Sequence, residues 1–424
     1  MHKLPILFLH GNGDSAAVWL TTLWRFESND YDKSLLHTLD LPYPSARDED
    51  GTPQPGRSSI AEYTQALAEK AACILRDSGE SKLIMVGNSR GGYPIRSYLK
   101  YGDGHDTVAK VVLGGTPNHG VWASDINPGN EFNGQGTLLH DLNIADKNGD
   151  ETTVGVRFLT LRSDHFDKYA QPSGQWIGQG QMPTNVGYDG PALHGACNLI
   201  LAGRDHRELS FHPDAFLASY RFITGHAPAR IDIVPEVEVV LDGRMCALLS
   251  APQGDEATNL PLAGARLTIF EVDAASGDRV ALRHEKTVAV DGQWGPFCAS
   301  PSAFYEFVIA ADGYAITHIY RSPFPRSSDV VHLRPVRAPH DAHGSVITMT
   351  RPRGYFGVGR DAISLDGQSP PPGLPDGFPA LSESCLSLDE AERRSVVAEC
   401  NGERIAVQSW PAQEGHLVFA ELHY

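Results

Sequence analysis

Lys82-Leu83-Ile84-Met85-Val86-Gly87-Asn88-Ser89-Arg90-Gly91-Gly92 is the stretch whose reading decides the fold. A short apolar run passes straight into Gly-x-Ser-x-Gly and then into a helix-competent segment, Tyr93 to Lys100. Buried strand, sharp turn and helix in that order make a nucleophile elbow, which holds a serine above the end of a parallel sheet. In so tight a turn, side chains at Gly87 and Gly91 would collide with neighbouring backbone, so only hydrogen fits. The turn lifts the Ser89 hydroxyl out of the sheet and over the N-terminus of the following helix, where partial positive charge favours a developing oxyanion. Pro94 falls in the first turn of that helix, where a missing N–H costs little.

Upstream, Leu4 to Leu9 is an apolar run of the kind a buried strand makes, and it ends in His10-Gly11-Asn12-Gly13-Asp14-Ser15. A Gly-rich loop at a strand end is where this architecture keeps an oxyanion donor. The expected pair of donors is the backbone N–H of Asn12 and that of Arg90, the residue after the serine. Leu35 to Leu41 gives another short strand, and Pro42 to Arg57 a Pro/Gly-rich loop. Ser59-x-x-Glu62 is a capping box, and Ile60, Tyr63, Leu67, Ala71 and Ile74 recur at helical spacing up to a stop at Gly79.

Downstream, Val108 to Leu113 is a strand, and the Asn/Gly/Asp-rich segment from Val121 to Glu151 reads as a small insert at the place of a cap. Val156 to Leu161 is the next strand, followed by Asp164 and Asp167. Asn198 to Ala202 is the last, followed by Gly203-Arg204-Asp205-His206 and a helix from Pro213 to Thr224. Alternating strands and helices predict an α/β unit over residues 1–228 with a mostly parallel, doubly wound sheet.

Acyl transfer by serine needs a base within reach of the hydroxyl and an acid that fixes the base's tautomer. Ser89, then Asp167, then His206 each follow a strand, in the chain order this architecture uses. Asp164 is the alternative acid, closer to the strand end. His194 and His212 compete with His206, which alone sits in a Gly-x-x-His turn directly after an apolar strand. Arg207 and Glu208 read as a surface pair.

The chain has 424 residues, enough for two or three domains with real cores. A formal net charge of −17 argues against nucleic acid as a partner, since phosphate binding needs a basic face. No apolar run approaches the ~18 residues of a membrane span, and no signal peptide is visible. The expectation is a chain that stays in the cell or one whose leader has been trimmed. The six cysteines show no Cys-x-x-Cys spacing, which speaks against a zinc site. Cys73 and Cys197 read as buried thiols, and whether Cys385 and Cys400 pair is left open.

Residues 1 to about 226 resemble α/β-hydrolases of the bacterial and archaeal lipase/esterase type. The likeness rests on His10-Gly11-Asn12-Gly13, Gly87-Asn88-Ser89-Arg90-Gly91-Gly92, Gly114 with Thr116-Pro117-Asn118-His119-Gly120, the turn Asp167-x-x-Ala170-Gln171-Pro172 and Gly203-Arg204-Asp205-His206. It implies hydrolysis of acyl, lipid or polyester esters without metal or organic cofactor. Two departures stand out: Asn88 where the family has His before the serine, and Arg90 where Met or Gln is usual. Neither removes a catalytic atom, but the arginine is expected to affect how tightly an acyl group fits.

From about Ile231 short alternating strands separated by Gly, Pro and Asp take over. Val237 to Leu241, Pro261 to Ile269, Val290 to Trp294 and Tyr305 to Tyr314 resemble a transthyretin-like or carboxypeptidase-regulatory-like β-sandwich, assigned to residues 229–338. Val346 to Thr350, Arg360 to Leu365, Ser395 to Glu399, Ile405 to Ser409 and Leu417 to Leu422 predict a second small β-sandwich over 339–424. In an archaeal lipase family of similar layout the β-domain engages lipid; stabilising or dimerising the enzyme is the equal alternative. Two other readings stay open: a polyester depolymerase with the same triad, and a non-catalytic binding protein whose β-domains do the work.

Overall fold

The computed structural model describes residues 2–170, 184–251, 254–337, 345–377, 379–388 and 392–424. It divides into two units: Met1–Ile233 with Leu249–Asn259, and Val234–Leu248 with Leu260–Tyr424.

In the first unit β1 (Ile6–Leu9), β2 (Leu36–Leu39), β3 (Leu83–Asn88), β4 (Val108–Gly114), β5 (Arg157–Arg162) and β6 (Cys197–Ile200) form a parallel sheet. Their order is β2-β1-β3-β4-β5-β6. Strand order reverses between β1 and β3, and sites in open α/β sheets form beyond the carboxyl ends of strands at such a switch point. Register puts Gly87 of β3 opposite Leu9 of β1 on one side and Leu113 of β4 on the other.

Both sheet faces are covered, which is why the central strands are continuously apolar rather than alternating. On one face Leu7, Leu9, Met85 and Val111 pack against Tyr63, Leu67, Ala71 and Ile74 of α2 (Ile60–Ser78) and Ile95 and Leu99 of α3 (Gly92–Tyr101). On the other, Phe8 meets Phe26 of α1 (Leu20–Glu27) edge-on at 5.7 Å, and Phe26 meets Phe216 of the C-terminal helix Pro213–Thr224 at 5.2 Å. The predicted capping box of α2 is present. Ser59 Oγ accepts from the Glu62 N–H at 3.2 Å, Glu62 Oε2 accepts from the Ser59 N–H at 2.7 Å, and Gly79 ends the helix at φ 72°.

At the sheet edge, β6 is exposed along its whole length. Cys197 is therefore exposed rather than buried, and Cys73 is half-buried. All six cysteines are free thiols, with Cys385 and Cys400 on different, unbridged strands.

The second unit is all-β. Its seven-stranded mixed sheet runs in the order Arg279–Thr287, Arg266–Val272, Phe304–Ala310, Thr317–Arg321, Leu417–Glu421, Ser345–Thr350, Glu383–Leu388. A three-stranded sheet (Ile363–Leu365, Ser395–Cys400, Glu403–Gln408) packs on it through Ile347, Met349, Val418 and Ala420 against Ile363, Val396 and Ile405. The expected division between 338 and 339 lies outside the described residues. The described strands on either side of it share one sheet, since Thr317–Arg321 pairs in parallel with Leu417–Glu421. Val290 to Trp294, expected as a strand, is a turn that buries Trp294, whose indole N–H donates to Val331 O at 2.7 Å. Strand Arg279–Thr287 escaped the pattern reading because most of its residues face solvent.

Ser59→Ala removes one N-cap bond of α2 and is expected to lower the unfolding free energy by about 1 kcal/mol, read as a shift in urea midpoint at unchanged slope.

Candidate active site

The turn after β3 is the strained point of the sheet. Ser89 adopts φ 49°, a left-handed conformation a serine holds only where its surroundings over-determine it. Two close approaches do so. A Cβ at Gly91 would lie 2.6 Å from His10 O and 2.8 Å from Leu9 O, so the turn presses directly on the end of β1. A Cβ at Gly87 would lie 2.9 Å from the backbone of Gly91 and Gly92. The Thr116 hydroxyl donates to Ser89 O at 3.0 Å and closes the far side.

Ser89 Oγ lies 2.9 Å from His206 Nε2, and His206 Nδ1 lies 3.0 Å from both Oδ1 and Oδ2 of Asp167. Two carboxylate oxygens on Nδ1 select the tautomer protonated there, leaving Nε2 to accept the serine hydroxyl. His206 and Asp167 are buried while Ser89 is half-exposed. Tyr169 packs edge-on against the imidazole at 4.6 Å. Gln171 and Pro172, the end of the predicted acid turn, lie outside the described residues.

Asp164 does not reach His206. Its Oδ1 accepts from the His165 N–H at 2.7 Å, the Gly203 N–H at 3.2 Å and Ser163 Oγ at 3.1 Å, so it ties the loop after β5 to the loop after β6. Those bonds hold its carboxyl below the usual range against the opposing effect of burial. The His212 ring is employed elsewhere: it caps the last helix by accepting from the Asp214 N–H at 3.0 Å. The backbone N–H of His194 donates to Glu151. Burial beside Arg204 pushes His212 down to about 4.

The expected oxyanion loop lies against the elbow: a Cβ at Gly11 would be 3.3 Å from Ser89 Cβ. Ala46 N–H donates to Asn12 Oδ1 at 2.7 Å and Gly13 N–H to Pro44 O at 3.2 Å, which orients the peptide between them. His10 is buried, and burial lowers its pKa. It thus stays neutral, with Nε2 accepting from the Leu41 N–H at 3.2 Å and Nδ1 donating to Gly11 O at 2.8 Å.

Two arrangements, those of Arg90 and of Arg207 with Glu208, differ from what the residues led one to expect. The Arg90 side chain does not face an acyl site but is fully buried against Glu131, with Nε to Oε1 at 2.6 Å and Nη2 to Oε2 at 2.9 Å. It also donates to Pro44 O, Ser58 O and Ser58 Oγ. Burial pushes the Glu131 carboxyl up and the guanidinium in contact opposes the push. The insert from Val121 to Glu151 is thereby anchored to the elbow residue itself. Asn88 is buried too and donates to Ser210 Oγ at 2.8 Å, joining the elbow to the helix after His206. Arg207 and Glu208 are no surface pair: Glu208 is buried, accepting from the Asp205 N–H at 2.9 Å, and Arg207 bridges to Asp14 at 3.2 Å. Nothing local marks the partners of Arg90, Asn88 and Arg207, because each joins segments far apart in the chain. Glu208 differs, since it and Asp205 three residues earlier bond each other's N–H groups in a local Asp-x-x-Glu pattern.

Among the described residues no group of three or more His, Cys, Asp or Glu is arranged to hold a metal ion, and no helix is long and apolar enough to cross a membrane.

Residues 237–338 match the Lipase C-terminal domain family. No curated protein sequence matches the chain. Among solved structures it is similar to lipase B of Aspergillus fumigatus, at 15% identity and TM-score 0.38 over 54% of either chain, so it spans about half that protein's length. It is also similar to the lipase BlEst2 of Bacillus licheniformis. The propeptide form gives 16% identity and TM-score 0.38 over 96% of this chain and 92% of that one. The mature form gives 20% identity and TM-score 0.35 over 52% and 89%. At these scores the likenesses carry no functional weight. The first unit is an α/β-hydrolase fold by its own topology, and all-β structure succeeds it along the chain.

Glu131→Ala strands a buried guanidinium and is expected to cost about 3–5 kcal/mol of stability. The apolar pair Arg90→Met with Glu131→Leu removes the stranded charge but takes the Arg90 donor from Pro44 O and Ser58 O, and so recovers only part of the loss. Urea unfolding of the two variants measures the difference.

Proposed function

We propose that the chain is a serine carboxylic-ester hydrolase of the lipase/esterase kind. The observation that carries this reading is the unbroken hydrogen-bonded line Ser89 Oγ, His206 Nε2, His206 Nδ1, Asp167, standing at the topological switch point. The family match of residues 237–338 supports an acyl ester as substrate.

In the first half-reaction Ser89 Oγ attacks the ester carbonyl as His206 Nε2 takes its proton, and Asp167 stabilises the resulting imidazolium. The carbonyl oxygen becomes an oxyanion received by the N–H groups of Asn12 and Arg90, supported by the positive end of the helix that follows the serine. The tetrahedral species collapses, the C–O bond to the leaving alcohol breaks, and His206 returns its proton to that alcohol. Water, deprotonated by His206, then releases the acid from Ser89 by the same route in reverse. No step needs a metal or an organic cofactor.

Ser89→Ala is expected to abolish turnover of p-nitrophenyl esters with the circular dichroism spectrum unchanged; retained turnover in that variant sinks the reading. A fluorophosphonate probe should label the parent chain and not the variant, and a parent chain that stays unlabelled turns the reading toward a non-catalytic binding protein. Asp167→Asn is expected to lower kcat on the order of 10⁴-fold by imposing the wrong tautomer. Asp164→Asn should leave kcat within about tenfold, since it disturbs loop bonds rather than the imidazole. A series from short to long acyl chains separates a lipase from an esterase.

A further inference from the structure

The hairpin formed by strands Cys246–Ala251 and Gly254–Pro261 leaves the second unit and returns to it, yet its outer part, Leu249–Asn259, belongs to the hydrolase unit. Near the end of that part sits Asn259, 1% exposed. Its side-chain amide donates to Asp14 O at 3.0 Å and to Leu41 O at 2.9 Å, and its backbone N–H donates to Pro42 O at 2.9 Å. A single buried residue thus gathers three carbonyls from the loops that leave β1 and β2.

Those carbonyls bracket the oxyanion loop. Residues 41–46 already serve as its template: Leu41 N–H donates to His10, Gly13 N–H to Pro44 O, and Ala46 N–H to the Asn12 side chain. Asp14, at the far end of the loop, receives Asn259 on its carbonyl and Arg207, the neighbour of His206, on its carboxylate. Asn12 N–H therefore lies on a segment fastened at His10 by Leu41 and at Asp14 by Asn259. Buried carbonyls that lose a donor are costly, so the loop relaxes if the amide is removed. The arm is held down a second time by Arg57 Nη2 to Glu256 Oε1 at 2.5 Å.

We propose that Asn259 is a positioning residue for the oxyanion hole, so that the outer part of this hairpin, which folds with the hydrolase unit, sets the catalytic rate. The proposal rests on the ester-hydrolase reading above. It makes Leu249–Asn259, a segment that folds with the hydrolase unit although it lies beyond residue 233, a participant in transition-state stabilisation.

The test uses the full chain and compares Asn259→Ala with the parent for kcat, KM and inhibition by an alkyl trifluoromethyl ketone. The hemiketal that Ser89 forms with this ketone carries its oxyanion where the substrate's would lie. A displaced donor is expected to lower kcat about tenfold or more, with KM within about twofold and the ketone's inhibition constant raised by a matching factor. A folded variant whose kcat and ketone inhibition stay within about twofold of the parent overturns the proposal, as does a change confined to KM or to melting temperature. If Asn259→Ala does not fold, Glu256→Gln loosens the same arm at its partly exposed pair. It should move kcat and ketone inhibition together in the same directions by about threefold, and no movement in either overturns the proposal. A parent chain that neither turns over ester nor binds the ketone fails the ester-hydrolase reading itself, an outcome distinct from an active parent with an indifferent Asn259.

Discussion

The structure depends on one backbone contact, the turn after β3 pressed onto the last residues of β1. Only a glycine at position 91 lets the turn approach the carbonyls of Leu9 and His10, and the same approach forces Ser89 to φ 49°. The strain, of order 1–3 kcal/mol for such a conformation, is met by the parallel pairing of β1, β3 and β4 and by the covered apolar faces on both sides. Its product is a serine hydroxyl raised above the sheet, beside the loop that carries Asn12. A side chain on a rigid strand end is placed more accurately than one on a free loop.

Around that contact lies a set of buried polar groups with their partners in reach. Arg90 pairs with Glu131, Asn88 with Ser210, His10 with Leu41 and Gly11, Asn259 with three carbonyls. Burying such groups unpaired would cost several kcal/mol, so each pairing constrains the loops it joins. The insert between β4 and β5 is bound to the elbow through a buried ion pair, which argues against its swinging as a free lid at Glu131. Ion pairs of this sort add little net stability compared with apolar packing but strongly disfavour misplacement of either partner. The region surrounding Ser89 is thereby held by long-range polar bonds rather than by apolar contact alone.

The elements that were legible from local pattern were those whose environment is uniform along their length. Leu4 to Leu9 and Leu83 to Val86 are apolar because both sheet faces are covered, and α2 shows its period because one face packs on the sheet. The edge strand β6 was found, but its exposure was not, since an apolar run does not say whether a further layer covers it. In the β unit, Arg279–Thr287 shows no strand pattern because so little of it is buried, and the turn around Trp294 reads as a strand because its large apolar side chain is buried from an irregular backbone. Strands expected in two separate sandwiches share one sheet, because parallel pairing between Thr317–Arg321 and Leu417–Glu421 is a contact across 100 residues with no local signature.

Short segments of the chain, taken alone, determine the α/β-hydrolase fold, the sharp turn at Ser89, the strand-end placement of Ser89, Asp164, Asp167 and His206, and the all-β character of the second half. Each of these is written in periodicity, glycine placement and strand-end position. Packing of the whole chain decides the rest: that Asp167 and not Asp164 reaches His206, that the Arg90 side chain turns inward to Glu131, and that Asn259 from a distant hairpin braces the loop of Asn12. Both aspartates end the same strand, so their difference is a matter of a few ångströms of loop geometry. Arg90 finds Glu131, 41 residues away, and Asp14, at the end of the loop of Asn12, finds Asn259, 245 residues away; no local pattern encodes a side chain's destination over such distances.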